Sequence, residues 1–246
     1  MQSKRGRLDR FLSNHLSMNR KDVRLFLAQK RVSVDGVVAL NIDQPVDEFS
    51  RIVLDAHRVL QANKPVYIMM HKPIGVVSAT EDDQHRTVID LLDRPDKATL
   101  HIVGRLDLNT SGLLLLTNDG RWSRQLTSPE NKVTKSYKVT LQNSLAEEYI
   151  KAFAQGMYFS YEDIKTEPAM LEIVSEYVAH VDLTEGRYHQ IKRMFGRFRN
   201  PVLQLHRMSI GCLSLDSALL PGESRTLTPQ EVESIHRSHL NWAISQ

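Results

Sequence analysis

Three residues far apart in the chain could carry chemistry: a carboxylate at Asp107, a phenol at Tyr137 and an ammonium at Lys192. Asp107 lies in Gly104-Arg105-Leu106-Asp107-Leu108-Asn109-Thr110-Ser111-Gly112, directly before Leu113–Leu116 and Asn118-Asp119-Gly120. Four consecutive leucines suit a strand covered on both faces, and Asn-Asp-Gly supplies turn chemistry after it. A loop carboxylate beside such a strand is either a structural cap or a reactive group. Lys192 belongs to a helical pattern over 187–198. There Ile191, Met194, Phe195 and Phe198 share one apolar face, and His189, Arg193 and Arg197 lie opposite. Lys192 sits about 100° from the apolar face, at its border. From there it either reaches inward at the edge of a cleft or snorkels over apolar surface.

Other common chemistries have no motif. No Gly-x-Gly-x-x-Gly follows a strand and no Gly-Lys-Thr/Ser loop is present, so neither dinucleotide nor nucleoside triphosphate use is indicated. His-Glu-x-x-His and paired cysteines are missing, so no metal site is expected. No Gly-x-Ser-x-Gly elbow supports a serine triad.

Charge distribution points to a polyanion. Within 246 residues of net charge +3, residues 1–31 carry nine Lys/Arg against Asp9 and Asp22, and the remainder is net negative. Inside that remainder, residues 187–207 hold Arg187, Lys192, Arg193, Arg197, Arg199 and Arg207 with no acid. Solvated helix faces would mix the signs at i,i+4 spacing; two separate acid-free clusters suggest nucleic acid touched at two places. Hydrophobic and charged contents of 41% and 25% are those of a globular protein. The apolar runs are too short for a membrane span. The basic start has no signal-peptide core behind it, and the single Cys212 forms no intrachain disulfide. A cytoplasmic protein without membrane contact is expected.

The elements that must position these residues follow from periodicity. Leu8, Phe11, Leu12 and Leu16, then Val23, Leu25, Phe26 and Leu27, predict two short helices interrupted at Ser17-Met18-Asn19. Val32–Val38 reads as a hairpin turning at Asp35-Gly36. Residues 55–65 read as a linker. Strands are expected at 66–70, 113–116, 135–141, 169–174, 177–183, 202–205 and 213–215, with a turn at His71–Gly75. Short helices are expected at 88–92 and 146–153. Thr228-Pro229-Gln230-Glu231 is a capping box that opens a closing helix over about 229–243.

The first forty residues resemble the S4 RNA-binding module, through Arg7-Leu8-Asp9-Arg10-Phe11-Leu12, the Asn19-Arg20-Lys21 helix entry and Arg31-Val32-Ser33-Val34-Asp35-Gly36. The rest resembles the RNA pseudouridine synthases, in the ribosomal RNA branch that carries an S4 domain. The matching motifs, in order, are Lys72-Pro73-x-Gly75, Gly104-Arg105-Leu106-Asp107, Lys135-Ser136-Tyr137 and Glu185-Gly186-Arg187-Tyr188-His189-Gln190-Ile191-Lys192-Arg193-Met194. Leu205-His206-Arg207-x-x-Ile210-Gly211 and Pro221-Gly222-Glu223 resemble the small-subunit (16S rRNA) members most. One departure is His71, where the family usually has asparagine.

The resemblance implies an α+β chain: an S4 module (αα-β) in residues 1–58, and a catalytic domain in 59–246 with a mixed, mainly antiparallel sheet flanked by helices. It implies isomerisation of uridine to pseudouridine in 16S rRNA, at position 516, free or within a small-subunit assembly particle, by a monomer that needs no cofactor. The same chemistry on 23S rRNA, or a non-catalytic RNA-binding assembly factor, are the alternatives. Asp107 is assigned as nucleophile or base, Lys192 as the cation that keeps it ionised, and Tyr137 as the face for a flipped uracil, with stacking worth about 1–3 kcal/mol. RNA contacts are assigned to Arg7, Arg10, Arg20, Lys21, Arg24, Lys30 and Arg31 in the first cluster. In the catalytic domain they are assigned to Lys72, Arg105, Arg187, His189, Arg193 and Arg207; Arg105 either binds phosphate or braces its loop.

Overall fold

Strand β1 (Gly6–Arg7) leads into helices α1 (Leu8–Leu16) and α2 (Arg20–Ala28). The computed structural model describes the backbone of residues 5–242 and the side chains of residues 5–235. Residues 1–4 of the expected basic cluster and residue 243 of the expected closing helix lie outside the described residues. The apolar positions of the two helices meet as their spacing requires: Leu8, Leu12, Val23 and Leu27 are buried with Val32, Val34, Ile52 and Leu54. Leu25 is 55% exposed, because two residues along a helix turn a side chain by about 200° away from Val23 and Leu27. Asn19 caps α2, its Oδ1 accepting the N–H groups of Lys21 and Asp22.

Strands β2 (Val32–Val34) and β3 (Val37–Val38) form the expected hairpin, with Asp35 and Gly36 at φ of 52° and 84°. Both values are the left-handed ones that a two-residue hairpin turn needs. Strand β4 (Pro45–Val46) pairs with β1, and β5 (Ile52–Leu54) and β6 (Arg58–Gln61) extend the hairpin to a four-stranded sheet, β3-β2-β5-β6. The expected linker at 55–65 therefore contains a strand. Its alternation is hidden because β6 is an edge strand with Arg58 and Val59 both exposed. The boundary expected between residues 58 and 59 falls inside β6. One compact unit runs to Pro65 and includes Asp119–Arg121; the other begins at Val66.

The second unit contains β7 (Tyr67–Lys72), β8 (His101–Val103), β9 (Thr110–Thr117), α3 (Gly120–Thr127) from Trp122 onward, β10 (Lys135–Leu141), α4 (Glu147–Gln155), β11 (Tyr158–Phe159) and β12 (Ile164–Lys165). It continues through β13 (Met170–Ser175), β14 (Val178–Leu183), α5 (Gln190–Gly196), β15 (Val202–Ile210), β16 (Leu213–Ser214), β17 (Ser224–Thr226) and α6 (Pro229–Trp242). Nine of these strands form one mixed sheet among the described residues, with central order β13-β14-β10-β15-β9-β7-β17. Only β9 and β15 run parallel; the other pairings are antiparallel. The mixed, mainly antiparallel sheet flanked by helices is the expected architecture.

Strand β9 is central, flanked by β7 along its length and by β15 and β8 at its two ends. Leu114 and Leu116 pack on one side with Ile68, Met70 and Tyr137; Leu113 and Leu115 pack on the other with Met69, Trp122 and Ile210. All four leucines are fully buried, which explains a continuous apolar run instead of alternation. The expected turn at Asn118–Gly120 is the start of α3, where Asp119 Oδ1 accepts the Arg121 N–H. Val88–Leu92, expected as a helix, is one hydrogen-bonded turn. The Asp90 carboxylate takes the Thr87 N–H and hydroxyl, and the only continuation is the Leu92 N–H to the Ile89 carbonyl. The capping box at α6 is formed in both directions between Thr228 and Glu231. No helix among the described residues is long and apolar enough to cross a membrane.

Candidate active site

Asp107 sits at the centre of the loop between β8 and β9, and the loop is held through its backbone. Lys72 closes β7 with its ammonium fully buried, donating to the carbonyls of Asp107 at 3.1 Å, Thr110 at 2.8 Å and Pro73 at 2.9 Å. Burial pushes this ammonium down to about 8, with Asp107 pulling the other way and Arg207 adding to the fall. Arg207, on β15 and equally buried, donates Nη2 to the Gly104 carbonyl at 2.7 Å and Nε to the Leu113 carbonyl at 2.8 Å. The Ser78 hydroxyl donates to the Leu106 carbonyl and accepts the Leu106 N–H. None of these ties uses the Asp107 carboxylate.

That carboxylate instead faces α5. Lys192 Nζ lies 3.5 Å from Oδ2, and His189 Nε2 lies 3.3 Å from the same oxygen. Both side chains arrive from one local design. Ile191, Met194 and Phe195 bury the expected face of α5, which leaves Lys192 at the border, from which it reaches inward. The helix is shorter than the expected 187–198 because residues 185–190 form a tight turn. In it Gln190 Nε2 donates to Glu185 at 2.6 Å, and Gln190 Oε1 accepts the Arg187 N–H. His189 ends that turn with φ of 50°, and this left-handed step sends its ring to Asp107 instead of to the side opposite the apolar face. Tyr188, 75% exposed, stacks on the His189 ring at 3.9 Å between centroids.

Tyr137, on β10, is 8% exposed and lines one cleft with Asp107, Arg105, Arg187, His189, Ile191 and Leu205. Residues from four separate segments thus surround one carboxylate: an aromatic face, two nitrogen bases or cations, and exposed arginines at the mouth. Such a cleft can hold a planar base against Tyr137 with an ionised carboxylate beside it. Among the described residues, no group of three or more His, Cys, Asp or Glu is placed to hold a metal ion.

Several residues expected at the RNA have other work. Lys72 and Arg207 are buried braces of the Asp107 loop and present no charge to solvent. Their inward direction was readable from strand alternation: Lys72 follows Met70 by two residues, and Arg207 follows Leu205 by two. Arg193 is held in a fork by Glu162, with its guanidinium 3.8 Å over the Phe159 ring. Arg187 meets Glu185 at 2.8 Å. The acid-free window 187–207 is therefore partly neutralised by acids from outside it, a pairing that linear sequence does not display. In the first unit Arg7 pairs with Asp9 and Arg31 with Asp55. Arg10, Arg20, Lys21, Arg24 and Lys30 are exposed and form no ion pair among the described residues. Ser78 carries no motif signal and is recognised only by the Leu106 backbone groups it satisfies; Gln190 lies within a matching motif, but its bracing role shows only in its bonds to Glu185 and Arg187.

A mixed sheet that presents a carboxylate and a tyrosine in one cleft, with a lysine paired to the carboxylate, defines a class that comparison with known proteins names. The sequence model described as RNA pseudouridylate synthase matches residues 66–196, and the chain belongs to that family. It is therefore an isomerase, one that converts uridine in RNA to pseudouridine. The chain is similar to the ribosomal small subunit pseudouridine synthase A of Pseudomonas aeruginosa, 49% identical over 93% of this chain and 100% of that protein. The protein of the same name from Escherichia coli K12 is 39% identical over 93% of this chain and 99% of that protein. A crystal structure of a pseudouridylate synthase, 36% identical, matches 93% of this chain and 99% of its own with a TM-score of 0.68.

Proposed function

We propose that this enzyme converts one uridine of 16S ribosomal RNA to pseudouridine, at position 516, with Asp107 as the reacting carboxylate. The observation that carries this reading is the meeting of Asp107 and Tyr137 in one cleft, with Lys192 at 3.5 Å from the Asp107 carboxylate, from residues distant in sequence. The relatives' full-length match to proteins named for the ribosomal small subunit supports the choice of RNA. In this reading the N1–C1′ bond breaks, the base turns within the cleft, and C5 bonds to C1′. The C5 proton leaves and N1 ends protonated, so the reaction is an isomerisation with no redox change. Asp107 acts as nucleophile or base in its ionised form, Lys192 sets a positive charge 3.5 Å from it, and Tyr137 carries the extruded uracil on its ring. The test is release of tritium from 16S rRNA labelled at uridine C5, followed by mapping of the pseudouridine formed.

The first unit, with α1 and α2 packed on a small sheet, acts in this reading as an S4 module that holds the RNA. Its unpaired surface cations Arg10, Arg20, Lys21, Arg24 and Lys30 meet phosphates. Replacing Arg20, Lys21 and Arg24 with alanine is expected to weaken RNA binding and to flatten its salt dependence by about 0.7 per lost single-strand contact. Filter binding across a salt series checks this; an unchanged slope would remove α2 from the RNA interface.

A further inference from the structure

A second groove adjoins the Asp107 cleft, with Leu205 lining both. Lys192, whose ammonium is 3.5 Å from Asp107, lines the groove as well. The groove is lined by one residue in three adjacent strand registers, Lys138 of β10 opposite His206 of β15, and His206 opposite Ser111 of β9. Its volume of about 1080 Å³ slightly exceeds the ~300–1,000 Å³ range of small-molecule pockets, which is room for more than one nucleotide. Its charged and titratable lining is Lys138, Lys192, His71 and His206, and no carboxylate lines it. Exposed Ile74 and Leu203 add apolar surface.

The two histidines are set for a ligand. His71, where the family usually has asparagine, donates Nδ1–H to the Leu219 carbonyl at 2.8 Å. His206 Nδ1 lies 2.9 Å from the Ser111 hydroxyl, and the two rings meet edge to face at 5.5 Å between centroids. Each ring thus has Nδ1 fixed, and neither Nε2 has a hydrogen-bond partner among the described residues. Burial first, and then the nearby His71 and Lys138, hold the His206 imidazole below its ordinary pKa.

We propose that this groove binds the single-stranded RNA next to the target uridine, with Lys138 and His206 on its phosphates, His71 Nε2 accepting from a ribose hydroxyl or base N–H, and Ile74 and Leu203 against its bases. The inference rests on RNA being the substrate, as proposed above, and it adds a second contact region outside the cleft. Charge complementarity selects the occupant: a groove lined by two lysines and no acid favours a polyanion. Apolar rims beside cations suit an unpaired strand, whose bases are free to lie against them.

The test is equilibrium binding of the full chain to a labelled RNA carrying the target uridine with about ten unpaired nucleotides on each side. The variant Lys138→Ala/His206→Gln/His71→Asn is compared with wild type across a salt series. Loss of these contacts predicts binding weaker by roughly tenfold, with a salt slope lower by about 0.7 for the phosphate that Lys138 releases. A second variant, Leu203→Glu, alters an exposed position, so it decides the matter should the triple variant fail to fold; it too is expected to bind more weakly through like-charge repulsion. Wild-type affinity and slope in the folded variants would overturn the proposal. Tritium release is measured separately on the wild type: release with unchanged variant binding refutes the groove alone, whereas weakened variant binding without release upholds the groove and refutes the assigned reaction.

Discussion

Asp107→Asn is expected to fold like the wild type, bind RNA with similar affinity and lose isomerisation by on the order of 10⁴-fold or more, as removal of a reacting side chain does elsewhere. The substitution keeps shape and removes only the charge. Folding should survive because the loop is tied by the carbonyls of Gly104, Leu106, Asp107 and Thr110, not by the carboxylate. The change falls instead on Lys192 and His189, which both face Asp107 Oδ2. An amide oxygen offers them a hydrogen bond without an opposite charge, and it is a far weaker nucleophile and base. Tritium release, filter binding and thermal melting, measured on the same preparation, separate these effects. Wild-type release by this variant would end the assignment of Asp107.

Gly112→Ala is expected to damage the fold and the site together, although it adds one methyl group. Gly112 stands opposite Arg207 in the parallel pairing of β9 and β15, at φ of 111°, which an L side chain rarely adopts. A Cβ there would lie 2.2 Å from the Arg207 carbonyl oxygen and 2.6 Å from its nitrogen. Both atoms are backbone, so no side-chain rotation relieves the overlap; β15 has to move away from β9. Overpacking costs about 1–3 kcal/mol, and the backbone strain adds roughly 1–3 kcal/mol. In a chain of this size that total lowers the melting temperature by roughly 5–20 °C. Moving β15 also withdraws the Arg207 guanidinium from the Gly104 carbonyl, so the surviving folded fraction should release tritium more slowly. A melting temperature and rate equal to wild type would show that the two strands tolerate separation.

Much of this site was legible in the sequence because its parts are periodic. The leucines of β9 announced a strand buried on both sides, and the 3.6-residue pattern of α5 placed Lys192 at a border from which it does reach Asp107. What was hidden depends on contacts between distant segments. Lys72 and Arg207 were grouped with the surface cations because their type suggests phosphate, yet the alternation around each turns it inward onto loop carbonyls. His189 was set opposite the apolar face because a continuous helix was assumed; the turn held by Glu185 and Gln190 breaks that periodicity and turns its ring to Asp107. Glu162, from the loop between β11 and β12, neutralises Arg193 across 31 residues, beyond the reach of any local count of charge. Strand β6 looks like linker in the sequence because an edge strand buries too little to show alternation.

The measurement that tests the central claim most directly is tritium release from 16S rRNA labelled at uridine C5, using the full chain with no added cofactor and mapping the product. The account predicts release of one equivalent per RNA and a single new pseudouridine, at the same position that is lost when the gene is deleted. No release from 16S rRNA, or release only from 23S rRNA, would contradict it.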